Sequence, residues 1–241
     1  MKNVSGYLFV PLLLVSVLVS WFIWSNSPPY LKQGGPLLVL GLTSLFLVLT
    51  FGAERLFVLW KAGGKVGARA FIADLRQRLA SGDVAGALER CRQQAGCLGN
   101  VIGAGLSTWQ DLSASGADRK ERIAEARRAI EEASALETPI LERNLSALST
   151  IASIATLIGL LGTTIGMIRA FRAMSTAGAP DAVQLALGIS EALVNTALGL
   201  ITAIVGIVMH NYFSTRVENL GSDMEEAGFE TLQALRQRPE R

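Results

Sequence analysis

Apolar residues fall into four long runs, Tyr7–Trp24, Pro36–Trp60, Leu145–Met167 and Ala182–Met209, separated by polar stretches of very unequal length. Each run reaches or exceeds the roughly 18–20 residues a helix needs to cross a hydrocarbon core about 30 Å thick. The runs are clustered rather than periodic, which predicts an all-α membrane protein with four transmembrane helices. The first run raises a separate question, because an N-terminal apolar run can also be a cleaved signal peptide. Its only leading charge is Lys2, and it ends in "SWFIWSNSPP", with two Trp where a cleavage site wants small residues. Trp serves better as an interfacial anchor, and a retained helix is the expectation.

Between the second and third runs the pattern changes to short amphipathic helices. "ARAFIADLRQRLASGD" puts Phe71, Ile72, Leu75 and Leu79 on one stripe, and "SGD" marks its stop. "DVAGALERCRQQAG" repeats the idea with Val84, Leu88 and Cys91. The charged, Ala-rich stretch 117–144 is predicted to run with little break into the third apolar run, since Pro139 can sit in a first turn or kink a helix. These helices read as too short and too polar for a separate core, and are expected to be long cytoplasmic extensions of the membrane bundle. No internal repeat is evident.

Composition and charge then orient the chain. Half of the 241 residues are hydrophobic and 17% are charged, which excludes an ordinary soluble domain. The segment Lys61–Asn144 holds 13 of the 22 basic residues, and Arg216, Arg236, Arg238 and Arg241 follow the last run. The connection between the first two runs has only Lys32, and the turn Met174–Asp181 has no basic residue. By the positive-inside bias both termini and the long segment are cytoplasmic, and the turn near Gly178 faces outward. Arg169 and Arg172 dissent from this pattern. The net charge of +2 is thus a topology signal and implies no nucleic-acid partner. Cys91 and Cys97 lack the paired spacing of a zinc site and are expected to be reduced structural thiols. His210 falls at the cytoplasmic end of the last run, as an interfacial side chain. No nucleophile set, metal set or phosphate loop is visible, so neither an enzyme nor a cofactor is expected.

The chemistry sits in two helical strips. In "GISEALVNTALGL" (188–200) the one charged residue of the last run is Glu191. At 100° per residue, Gln184, Gly188, Asn195, Thr202 and Gly206 fall within about 60° of it, and the other faces are aliphatic. In the third run, Ser149, Ala152, Thr156, Gly159, Gly166 and Ala170 fall within about 60° of Thr163. Gly162 and Gly166 form a G-x-x-x-G, and Gly159, Gly162 and Gly166 are the expected packing residues. Small residues and hydroxyls alone would suit close helix packing. Glu191 changes the balance, because a charge at mid-bilayer costs at least ~2.5–3.5 kcal/mol and usually marks an ion path. A structural Glu would want a cation, and neither strip contains one. Desolvation disfavours the charged form of a carboxyl, which suits proton exchange near neutral pH. A relay needs a second acid, and this chain has no other deep in an apolar run. The second group is expected from another copy or another protein.

"IGLLGTTIGMIRAF" (158–171) and "GISEALVNTALGL" (188–200) resemble the paired signatures of the ExbB/TolQ branch of the MotA/TolQ/ExbB proton-channel family. "GGPLLVLGLTSLFLVLTFGAERLFVLWK" (34–61) and "GDVAGALERC…LGNVIGAGL" (82–106) add to the likeness, which covers roughly 33–215. The resemblance implies three segments. Residues 1–32 would be an extra N-terminal helix with a short periplasmic connection. Residues 33–215 would be the channel domain, with 60–144 as its cytoplasmic helical part, and 216–241 a cytoplasmic tail. It further implies a pore-forming homo-oligomer, usually a pentamer, in the bacterial inner membrane. That ring would surround a dimer of single-span ExbD/TolR-like partners whose aspartate supplies the missing acid, with a TonB-like protein as a further partner. Glu191 matches the family's pore glutamate, and Thr163 and Thr196 match the threonines facing the partner helices. Asn195, beside them on the path, replaces a small apolar residue. Val205 stands where a proline is common, and Thr164-Ile165 replaces a Val-Trp pair. The first run has no counterpart in three-helix members.

The function implied is an ion-driven motor subunit coupling proton flow to work across the envelope, as in TonB-dependent transport or Tol-Pal systems. The alternatives are a flagellar-type or gliding stator subunit and a structural scaffold without ion conduction. The flagellar branch lacks a glutamate at the Glu191 position, which separates the two. A solute transporter would often show inverted repeats and broken helices, and neither appears.

Overall fold

A computed structural model describes residues 4–28, 32, 34–175 and 181–237, with side chains from Pro11 onward. Lys2, the turn residue Gly178, Arg238 and Arg241 lie outside the described residues. Among the described residues there are helices and no strand. In chain order they are α1 (Val4–Asn26), α2 (Gly35–Ala62), α3 (Ala68–Ala80), α4 (Val84–Gln94), α5 (Cys97–Ala114), α6 (Arg119–Glu142), α7 (Leu145–Ser175) and α8 (Ala182–Gln237). Three helical stretches are long and apolar enough to cross a membrane: α2, the α6–α7 stretch Arg119–Ser175, and α8. The described apolar part of α1, Pro11–Asn26, is shorter than these.

Packing divides the chain into two compact units. One comprises the chain up to Glu54 with Asn144–Asn211, and the other Arg55–Arg143 with the chain from Tyr212 onward. In the first unit the polarity is inverted relative to a soluble bundle. Leu157, Leu160, Leu161 and Ile168 of α7 point outward, as do Leu193, Leu200, Ile204 and Ile207 of α8. The buried face of α8 carries Glu191, Ala192, Asn195, Thr202 and Ala203. This arrangement suits a hydrocarbon solvent, in which close packing of small residues and internal hydrogen bonds hold helices together. α2 completes the unit. Gly41 lies under Leu198 and Gly52 under Met209, where added Cβ atoms would stand 2.8 and 2.6 Å from those side chains.

The second unit corrects the expectation that the polar helices form no core of their own. The predicted stripe Phe71, Ile72, Leu75 and Leu79 is buried on α3. It shares the unit's interior with Leu98, Val101, Ile102 and Leu106 of α5, Ala126 and Ile130 of α6, and Phe213, Val217, Leu220, Met224 and Leu235 of α8. Each fully buried large aliphatic or aromatic side chain contributes about 1.5–3 kcal/mol. What makes the core adequate is the C-terminal part of α8, whose apolar stripe falls largely within the segment expected to be a cytoplasmic tail. On α4 the buried face is Ala87, Cys91 and Gln94, with Val84 and Leu88 half-buried at its edge. The stop after α3 is as expected, with Gly82 at φ +84 and Asp83 capping α4 by accepting from the Gly86 amide at 2.8 Å.

The break between α6 and α7 is short, as anticipated, but lies four residues beyond Pro139, which stays inside α6. Arg143 leaves the helical region and Asn144 takes φ +63, a left-handed conformation that asparagine tolerates. The carbonyls of Ile140 and Leu141, left open at the end of α6, accept from buried Arg55 Nη1 at 3.3 Å each.

Cys91 and Cys97 are buried, and burial pushes their thiols up to about 12 and about 11. At neutral pH both are protonated, and the thiolate is the reactive form. Neither is expected to react with a maleimide in the folded chain from either side of the membrane, and both should react once the chain is unfolded. The unfolded thiols titrate near 9 and the folded ones higher, so the stability they carry is present below pH 9 and lost as the pH rises toward 11–12. Rapid labelling at neutral pH under native conditions would contradict this burial.

Candidate functional site

The third and fourth apolar runs pack on each other through their small residues. A Cβ at Gly159 would meet the Gly199 and Thr196 Cα atoms at 3.4 Å, and one at Gly206 would meet the Ala152 Cβ at 2.7 Å. A Cβ at Gly166 would stand 2.6 Å from the Gly188 carbonyl oxygen and 2.7 Å from the Ala192 amide nitrogen. These pairs define one antiparallel register along the whole seam. Gly159, Gly162 and Gly166 act there as packing residues, against α8 of the same chain. Gly162 faces Asn195.

The two strips read from the sequence therefore face each other inside the chain. Within the single chain Glu191 is enclosed and only 5% exposed. Its carboxylate lies against the α2 entry turn, where a Cβ on Gly35 would stand 2.6 Å from Oε1. Gly35 has φ +64, so the turn needs glycine for its conformation as well as for the approach.

The inference that Glu191 has no nearby cation is also overturned. Arg169 Nη1 donates to Glu191 Oε1 at 2.5 Å and to Oε2 at 2.6 Å. Arg169 lies on α7 to one side of the small-residue strip, and its length carries the guanidinium across the seam. Two signals in the sequence pointed to it. The first is its dissent from the positive-inside pattern and the second its place one turn after Gly166 in the quoted signature, although only the structural register, which pairs Gly166 with Ala192, brings residue 169 within one turn of Glu191. The strip itself, drawn by angle on one helix, could not reveal a side chain arriving from the next.

The other residues hold the frame and not the carboxyl. Asn195 donates from Nδ2 to the Gly34 carbonyl at 2.9 Å and to the Glu191 backbone carbonyl at 3.0 Å. Thr196 Oγ1 donates to the Ala192 and Gly159 carbonyls at 2.9 and 3.2 Å, tying α8 to α7. Thr163 is half-exposed and its hydroxyl bonds the Leu160 carbonyl of its own helix at 2.7 Å. The sequence reading missed Arg169, Gly34 and Gly35 as parts of this site. Glu191 lies ten residues into α8, about 14 Å from its first residue along the axis. Among the described residues no cluster of His, Cys, Asp or Glu could hold a metal ion.

Chemically, the site is a fixed carboxylate with a guanidinium partner in an otherwise neutral seam.

The comparisons with known proteins agree with this chemistry. Residues 94–226, more than half of the chain, match the model of the MotA/TolQ/ExbB proton channel family. A putative biopolymer transport protein ExbB-like 3 from Synechocystis sp. is 42% identical over 91 residues, 37% of this chain and 43% of that protein. The Tol-Pal system protein TolQ of Pseudomonas aeruginosa is 39% identical over 93 residues, 39% of this chain and 40% of the other. The biopolymer transport protein ExbB of Pseudomonas putida is 34% identical over 94 residues, 37% of this chain and 29% of the other. The chain thus matches less than half the length of each of these three relatives. On the family match and the membrane seam together, this chain belongs to the MotA/TolQ/ExbB proton channel family.

Proposed function

We propose that the chain is an inner-membrane subunit of an ion-driven motor that couples proton flow to mechanical work across the cell envelope. The observation that carries this reading is Glu191: a buried carboxylate in an apolar helix, at a seam built of glycine, alanine and hydroxyl side chains. A charge kept there against an insertion cost of ~2.5–3.5 kcal/mol asks for a functional reason. The family membership and the names of the relatives, biopolymer transport and Tol-Pal system, support the same reading.

In this reading the chain forms a pentamer around a dimer of single-span ExbD/TolR-like partners, with α1 as a fourth span and both termini cytoplasmic. Glu191 exchanges protons with the partner's acid, while Thr163 and Thr196 line the path. A single chain encloses Glu191, so the path must open beside the α7–α8 seam when the partner is engaged. A second reading, a structural scaffold, is favoured by one observation, the Arg169 partner that gives the carboxylate a structural role.

The test is reconstitution of the chain with a single-span ExbD/TolR-like protein from the same organism, in vesicles loaded with a pH-sensitive dye. A partner-dependent proton flux under an imposed potential is expected, and it should vanish when the partner's intramembrane aspartate is changed to Asn. A stable complex that passes no protons would reject the motor in favour of the scaffold.

A further inference from the structure

We propose that Arg169 is a positioning residue that latches Glu191 in a closed state beneath Gly34 and Gly35, and that ion transfer requires this guanidinium to swing away. The inference rests on the reading of Glu191 as the ion-path group. Its first support is an asymmetry between the two partners: the Glu191 side chain is 7% accessible and that of Arg169 is 52%. One partner is enclosed and the other lies half in the open.

The hydrogen bonds have the same asymmetry. A single nitrogen, Nη1, donates to both carboxylate oxygens. Nε and Nη2 stand outside the pair, so the two-nitrogen fork that makes many Arg–carboxylate pairs hard to separate is not adopted. Arg169 is held at its tip and can rotate outward without repacking the seam. Glu191 cannot move so freely. The missing Cβ of Gly35 would stand 2.6 Å from Oε1 and 3.5 Å from Arg169 Nη1. Asn195, one turn along α8, fixes the neighbouring Gly34 carbonyl at 2.9 Å. The carboxylate is the fixed half of the latch and the guanidinium the moving half.

Charge balance explains why the latch would open. Arg169 is the charged group that meets Glu191 from α7. The groups meeting it from the α2 turn and from α8 are the neutral Gly34–Gly35 backbone and Asn195. In the closed state the two charges cancel. A proton arriving from water forms an O–H bond on one carboxylate oxygen, and no covalent bond breaks. The neutral carboxyl is a weaker acceptor, and the half-exposed guanidinium, its counter-charge gone, is better solvated on its open side than against the enclosed carboxyl. Proton release restores the pair. One protonation thus becomes one displacement of a positive charge at the end of the α7–α8 seam.

The experiment is carbodiimide labelling of Glu191 in the purified full chain, without partner and without an ion gradient, using dicyclohexylcarbodiimide, which attacks protonated carboxyls in apolar sites. Wild type should label slowly. Arg169→Gln should raise the labelling rate roughly 10- to 100-fold, the range expected when charge-assisted hydrogen bonds are removed. Arg169→Lys, which keeps the charge, should stay near wild type. Gly35→Ala, which wedges a methyl group against Oε1 and removes no charge, should shift the rate in the same direction as Arg169→Gln, and Glu191→Gln sets the background. Unchanged labelling in both Arg169→Gln and Gly35→Ala would overturn the latch. So would failure of both to accumulate as folded chain, which would make the pair a folding element. Because no partner or ion flow is involved, a latch that behaves as expected beside a complex that passes no protons would reject the motor reading alone.

Discussion

Replacing Glu191 by Gln is expected to reduce energised function to the level of a strain lacking the gene, while the chain still inserts and assembles. Gln keeps the size, one carbonyl acceptor and the enclosure under Gly35, and it loses the titrating charge together with the second oxygen that accepts from Arg169. The Arg169 charge that remains is half-exposed, so it can relax toward water, and the 3–5 kcal/mol typical of breaking a fully buried pair is an upper bound here. Each proton crossing 100 mV releases about 2.3 kcal/mol, comparable to the ~2.5–3.5 kcal/mol insertion cost of the charge it neutralises. In the proposed motor, transient neutralisation at this level would switch which partner face is favoured. The check is the powered process itself, measured beside gel filtration of the detergent-extracted complex. Thr163→Ala should reduce function less, since the Thr163 hydroxyl bonds only the Leu160 carbonyl of its own helix. A Gln variant that assembles and works at wild-type rates would make Glu191 structural.

Adding a single methyl group at Gly166 is expected to be far more damaging than adding one at Gly159. At Gly166 the new Cβ would meet backbone on both near contacts, the Gly188 oxygen at 2.6 Å and the Ala192 nitrogen at 2.7 Å, and backbone cannot rotate away. The helices must separate along their register, which also pulls Arg169 from Glu191. Overpacking of this kind costs about 1–3 kcal/mol, which for a chain of this length lowers the melting temperature by roughly 2–12 °C. At Gly159 the nearest atoms lie at 3.4–3.5 Å, an ordinary contact, and the helix propensity gained over glycine of up to about 1 kcal/mol offsets the crowding. Thermal unfolding in detergent followed by fluorescence-detected gel filtration separates the two. Equal melting temperatures for Gly166→Ala and wild type would mean that α7 and α8 are not seated as described. Weaker oligomers from a bulky residue at either glycine would follow from the distorted chain, with no need for a direct clash between copies.

How much of this was legible beforehand depends on the range of the interaction involved. The apolar runs, the α3 stripe, the stop at Gly82 and the small-residue strip on α7 are local, set by the 3.6-residue period and by propensity. They could be read from consecutive residues. The C-terminal part of α8 also carried its stripe openly, yet a stripe names no partner. Its burial with Leu98, Ile102 and Leu106 joins segments more than a hundred residues apart.

The sequence by itself determined the solvent and the chemistry. Four apolar runs and a lopsided distribution of lysine and arginine make a helical membrane protein, and a lone glutamate among aliphatic residues makes a candidate ion site. Only the tertiary structure decided what that glutamate faces. An angle on a helical wheel fixes the side a residue occupies, but the partner on that side depends on the register between two helices and on the reach of side chains across it. Glycines at 159, 166, 188 and 199 set that register by letting backbones touch. Arg169, long and flexible at the edge of its strip, then crosses to the carboxylate. Close packing of the smallest residues brought the two charges together.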